Sequence, residues 1–117
     1  MTIQELNNIL DEIKLPYTYY FFPENDKNNP VPNLPYFVYY FPNNDGFGAD
    51  NINFANVNAL NIELYTAYKN YDVEAQLEAI LTKHGFYFSK TETYLESERM
   101  YEVLYEMEVL IKYGEQS

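Results

Sequence analysis

A nucleophile at neutral pH needs a base beside it, and this chain offers one histidine, His84, and no cysteine. His84 falls at the end of a helical pattern, on its apolar side, where it reads as a core or helix-end residue whose charged form suits the negative end of the helix dipole. Ser89, Ser97 and Ser117 lack a G-x-S-x-G setting, so a serine hydrolase has no support. The most metal-like stretch is 43–52, around Asp45-Gly46. Placing Gly46 at the glycine of a calcium loop puts Phe41 at the first ligand position and Ile52 where a bidentate glutamate belongs, so the match fails at both ends. Gly46-Phe47-Gly48 lacks the further glycine and the following helix that would cradle phosphate. The residues therefore predict no catalytic centre, no cofactor and no metal, and the expected class is a non-enzyme.

Charge narrows the partners. Eighteen acidic residues against seven basic ones give a formal net charge of -11, a field that repels phosphate backbones, so sequence-specific nucleic-acid binding is not expected. Without cysteine there are no disulfides or thiolate metal sites, and stability must come from packing. No apolar run approaches the roughly 20 residues that span a bilayer, and no secretory signal is read at the start, so a cytoplasmic protein is expected. At 117 residues with 47% hydrophobic side chains, one folded domain over 1–117 is expected.

The elements that would position these residues follow from spacing. Thr2 with Glu5 forms a capping box, and Ile3, Leu6, Ile9, Leu10 and Ile13 share one stripe, which predicts a helix over 2–14, stopped by Leu15-Pro16. The aromatic run 17–22 reads as a strand, and 36–41 as a second, with a proline- and asparagine-rich connection between them. Residues 43–56 read as another loop. Leu60, Ile62 and Leu64 alternate with Asn61, Glu63 and Tyr65, the clearest strand in the chain. Asp72 is the expected cap of a second helix carrying Val73, Leu77, Ile80 and Leu81 and closed by Gly85. A strand from Phe86 to about Tyr94 and a turn over 92–99 come next. Residues 99–113 fit two patterns. Tyr101, Val103, Tyr105, Met107, Val109 and Ile111 alternate as a strand, whereas Met100, Val103, Leu104, Met107 and Ile111 make a helical stripe. Leu104 and Leu110 count against the strand, and the tyrosine and valine content counts for it. With the strand, the class is α+β: a mainly antiparallel sheet of about five strands with two helices, in the order α-β-β-β-α-β-β.

Fourteen tyrosines and eight phenylalanines are more than a core of this size readily hides, which predicts exposed rings of the kind enriched at protein interfaces. In the loop 43–56, Phe47, Ile52 and Phe54 are candidate subunit or partner contacts. Glu102, Glu106 and Glu108 share one face of a final strand and are a candidate acidic face, which would line the channel if the chain formed a ring.

Ile62-Glu63-Leu64-Tyr65-Thr66, Tyr71-Asp72-Val73-Glu74-Ala75, His84-Gly85-Phe86, the run from Lys90 to Glu98 and the run from Tyr101 to Glu106 resemble a family of small proteins of phages and prophages of Gram-positive bacteria. The first helix and Pro35-Tyr36 extend the likeness more weakly. The sequence is similar to head-tail joining or tail-terminator proteins of long-tailed phages. That resemblance implies a sheet flanked by helices and resolves the C-terminal ambiguity toward a strand. It also implies self-assembly into a ring, a hexamer, with tail-tube and head-connector proteins as partners, in the host cytoplasm during assembly and then in the virion neck. A different class, a small acidic inhibitor or adaptor that binds a host protein and mimics DNA through its charge, is the alternative.

Overall fold

In the computed structural model, residues 1–22, 31–43 and 55–112 are described, without the side chains of residues 55 and 56. Helix α1 (Ile3–Asp11) starts as its sequence dictates: the Thr2 hydroxyl accepts the Glu5 amide at 3.1 Å and the Glu5 carboxylate accepts the Thr2 amide at 2.9 Å. It ends at Asp11, three residues earlier than expected. Lys14 then takes a φ of 68°, which turns the chain before Pro16 is reached. β1 (Tyr17–Tyr19) is also shorter than its aromatic run, because Tyr20 adopts a φ of 72° and leaves the strand. β2 (Tyr36–Tyr40) and β3 (Ala55–Thr66) follow, β3 beginning well before the alternation at Leu60.

Asn70, rather than Asp72, caps α2 (Tyr71–Lys83) by accepting the Val73 amide, and Asp72 lies in the first turn. Gly85 has a φ of 82°, which an L side chain would strain although open space surrounds it. β4 (Phe88–Leu95) turns tightly into β5 (Met100–Lys112), with Arg99 at a φ of 54°. The long turn expected over 92–99 is therefore strand as far as Leu95. Residues 100–112 form the strand.

The sheet order is β1-β2-β3-β5-β4, antiparallel except for the parallel β1–β2 pair. Register assembles the core in rows: Phe37, Leu64 and Val103 lie side by side, as do Tyr39, Ile62 and Tyr105, and Leu60 pairs with Met107. Leu6, Leu10 and Ile13 of the α1 region and Leu77 and Leu81 of α2 cover this face, all of them fully buried. Each such side chain contributes about 1.5–3 kcal/mol relative to exposure. Toward β4 the covered face turns polar. Glu74, 3% exposed, accepts Lys69 and Lys90 at 2.9 Å each; Lys90 also reaches Glu78 at 2.6 Å, and Lys69 reaches Glu92. Among the described residues no helix is long and apolar enough to cross a membrane.

Candidate functional site on the sheet face opposite the helices

Because side chains alternate across a strand, burying Leu60, Ile62, Leu64, Val103 and Tyr105 under the helices sends their sequence neighbours to the other face, on which no helix of the described residues lies. Three rows form there. Tyr36, Tyr65, Glu102 and Thr93 make the first; Val38, Glu63, Leu104 and Thr91 the second; Tyr40, Asn61, Glu106 and Ser89 the third. No lysine or arginine occupies these rows.

Glu63 stands at the centre. Tyr40 donates its hydroxyl hydrogen to Glu63 Oε2 at 2.6 Å, Tyr65 donates to Glu63 Oε1, and Asn61 Nδ2 donates to the Tyr40 oxygen at 3.3 Å. The Tyr65 hydroxyl also lies 3.2 Å from Glu102 Oε2. Tyr65 has one hydrogen to give, and Glu63 takes it. A proton on Glu102 would let that carboxyl donate to the Tyr65 oxygen, giving every hydroxyl and carboxyl hydrogen of the cluster an acceptor. Partial burial, and next the negative charge of Glu63, raise the Glu102 pKa above its ordinary 4.5. Burial and the bond to Glu63 push Tyr40 up to about 12, and the same causes push Tyr65 higher.

A group whose pKa rises on folding stabilises the fold below its unfolded pKa and loses that contribution as pH climbs through the folded value. Glu102→Gln, which keeps the hydrogen-bonding shape without the charge, should therefore melt a few degrees higher than the parent at neutral pH. The advantage should shrink as pH falls toward 4.5. Thermal melts from pH 4 to 8 would check this, and a gain independent of pH would show that charge is not the cause.

Beside the cluster lies a recess of about 250 Å³ lined by Tyr20, Phe21, Phe22, Tyr36, Val38 and Tyr65. Tyr20 stacks on Tyr40 at 5.2 Å, and Phe21 is 68% exposed. Farther along the face, Val57 and Leu110 are an exposed apolar cross-strand pair. The surface can thus accept apolar and aromatic groups and receive hydrogen bonds at its carboxylates.

Of the residues singled out in the sequence, Phe47, Ile52 and Phe54 lie outside the described residues. Glu102, Glu106 and Glu108 do share a face, opposite Val103, Tyr105 and Met107. They are not an even wall, however: Glu106 and Glu108 are solvated, whereas Glu102 is half-buried in the tyrosine cluster. His84 is the C-cap of α2, with Nε2 3.1 Å from Glu12, a helix-end residue outside the core. Lys83 and then His84 hold the Glu12 carboxyl below the usual range. Among the described residues, no group of three or more His, Asp or Glu side chains is placed to hold a metal ion. Sequence reasoning missed Glu63, Tyr40 and Tyr65 as a unit. The alternation marked their face, but meeting Glu102 depends on the β3–β5 register.

No protein-family model, no curated protein and no solved structure matches this chain.

Proposed function

We propose that the chain is a structural subunit acting by protein–protein assembly, and that its assembly is a ring of the tail-terminator or head-tail joining kind in a phage neck. The observation that supports assembly is the sheet face opposite the helices, where an aromatic recess, a tyrosine–carboxylate cluster and the exposed Val57–Leu110 pair share one side of the sheet. A partly apolar face carrying exposed aromatic and aliphatic groups is what a surface that meets another protein would show. The ring form, its hexameric closure and its tail-tube and connector partners come from the sequence resemblance. In such a ring Glu106 and Glu108 would add to an acidic lining that keeps DNA from sticking.

Val57 is 64% and Leu110 51% exposed, so replacing both by serine removes little from the subunit's own core. The double variant should keep its melting temperature within a few degrees while losing the ring, read by native mass and electron microscopy against the parent. A parent that never exceeds a dimer would instead favour the acidic adaptor, for which the net charge of -11 is the supporting feature.

A further inference from the structure

Strand β4 ends the sheet: its inner side is laddered to β5, and among the described residues no strand lies on its outer side. It is eight residues long and contains no proline. Sheet edges are commonly blunted by brevity, proline, bulges or inward charge; β4 carries inward charge in Lys90 and Glu92, but both are held in ion pairs within the subunit, and its eight regular residues leave an edge that can template another strand.

The residues along it are Phe88-Ser89-Lys90-Thr91-Glu92-Thr93-Tyr94. Read outward from Thr91, each step meets a chemical counterpart: Lys90 with Glu92, Ser89 with Thr93, Phe88 with Tyr94. We propose that the β4 edges of two copies pair antiparallel about a two-fold axis normal to the sheet at Thr91, joining two five-stranded sheets into one of ten strands. The partner is a second copy of this chain.

Symmetry leaves few registers. An axis normal to the sheet keeps each side chain on its own face, and directly opposed residues of antiparallel strands share a face. Opposed residues must then be an even number of positions apart, which places the axis at a residue. At Lys90 the register sets lysine against lysine, and at Glu92 glutamate against glutamate. At Ser89 or Thr93, Lys90 and Glu92 do not face each other. Thr91 alone opposes Lys90 to Glu92 twice, with an aromatic pair at each end and hydroxyl side chains between.

The charges already in place are compatible. Lys90 holds Glu74 and Glu78, and Glu92 holds Lys69, so a contact across the axis extends an existing chain of ion pairs. Lys90 and Glu92 are 37% and 39% exposed, so their pairing sets register more than affinity. Affinity comes from main-chain hydrogen bonds along the edge and from covering Phe88 and Tyr94. This contact is independent of the ring reading, since a ring closes through heterologous surfaces and the β4 contact is isologous.

The chain has no cysteine, which makes the test direct. Opposed Cα atoms in such a pair lie about 4.5–5.5 Å apart, within the range a disulfide spans. Mild oxidation of Thr91→Cys should give a covalent species of twice the 13.9 kDa chain mass. Ser89→Cys alone should cross-link poorly, whereas Ser89→Cys mixed with Thr93→Cys should cross-link well. Thr91 is exposed, so Thr91→Lys and Thr91→Glu should melt like the parent. Each should self-associate about tenfold more weakly, because like charges meet at the axis, and a one-to-one mixture should restore pairing. A ring that fails to form leaves this cross-linking pattern intact, so the two ideas fail separately. Equal cross-linking of Thr91→Cys and Ser89→Cys, or no rescue on mixing the charged variants, would overturn the proposal.

Discussion

Replacing Tyr105 by alanine should cost the domain about 3–5 kcal/mol, whereas Tyr105→Phe should cost about 1 kcal/mol. Tyr105 is fully buried in the middle of β5, between Ile62 on β3 and Lys90 on β4. Its ring meets Phe88 edge-on at 5.3 Å, and its hydroxyl donates to Glu78 Oε2 at 2.7 Å. Alanine removes the ring and leaves a cavity where α2, β3 and β4 converge. Phenylalanine removes one hydrogen bond, and Glu78 keeps Lys90 as a partner. With total stability of about 5–15 kcal/mol typical of domains, the alanine variant should be close to unfolding at physiological temperature. Urea titrations compare the two, and similar losses for both would mean that the ring contributes little.

Glu74→Ala should be the costliest single change among the charged residues, at about 2–3 kcal/mol. Glu74 is nearly inaccessible and lies between two lysines, so its removal leaves both ammonium groups short of a partner. The loss stays below that of a fully buried pair because Lys69 keeps Glu92, Lys90 keeps Glu78, and both lysines reach solvent. Burial raises the Glu74 pKa, but the bonds from Lys69 and Lys90 together outweigh it and set the carboxyl below 4.5. For a depressed carboxyl the stabilisation is present above the unfolded pKa and disappears as pH falls through the folded one. The gap between parent and variant should therefore close in acid. A gap unchanged down to pH 3 would show that packing, rather than charge, accounts for it. Glu74 and Glu102 thus oppose each other: acid removes what the covered face gains from Glu74 and relieves what the open face loses at Glu102.

Local chemistry was the legible part of this fold. The capping box at Thr2 and Glu5 is a four-residue pattern whose hydrogen bonds need nothing distant, and it forms. The alternation in β3 marks its buried face for the same reason. Within 99–113 the two leucines that argued against a strand prove informative: Leu104 and Leu110 lie on a face that is itself partly apolar, so polar-out alternation was never going to be clean. The cap of α2 was misplaced because Asn70 and Asp72 are both capping residue types, and only backbone geometry chooses between them. The parallel pairing of β1 with β2, and the insertion of β5 between β3 and β4, join segments far apart in the chain, and no local periodicity encodes them. The open-face cluster shares that limit. Asn61, Glu63 and Tyr65 could be assigned to one side of a strand, but Tyr65 beside Glu102 is a fact of register.

That β5 lies between β3 and β4 has a consequence for the order of events during synthesis. β5 follows every other described element in the chain, yet it is an inner strand, laddered to β3 from Thr66↔Tyr101 to Ala55↔Lys112 and to β4 on its other side. Until it emerges from the ribosome, β3 has one long unpaired edge, and Leu60, Ile62 and Leu64 lack the neighbours that complete their rows. The nascent chain thus carries β3 before the strand that pairs along that edge exists. Once β5 arrives, its hairpin with β4 can form locally, and the same strand then closes against β3, so the sheet is completed from its last-made part inward.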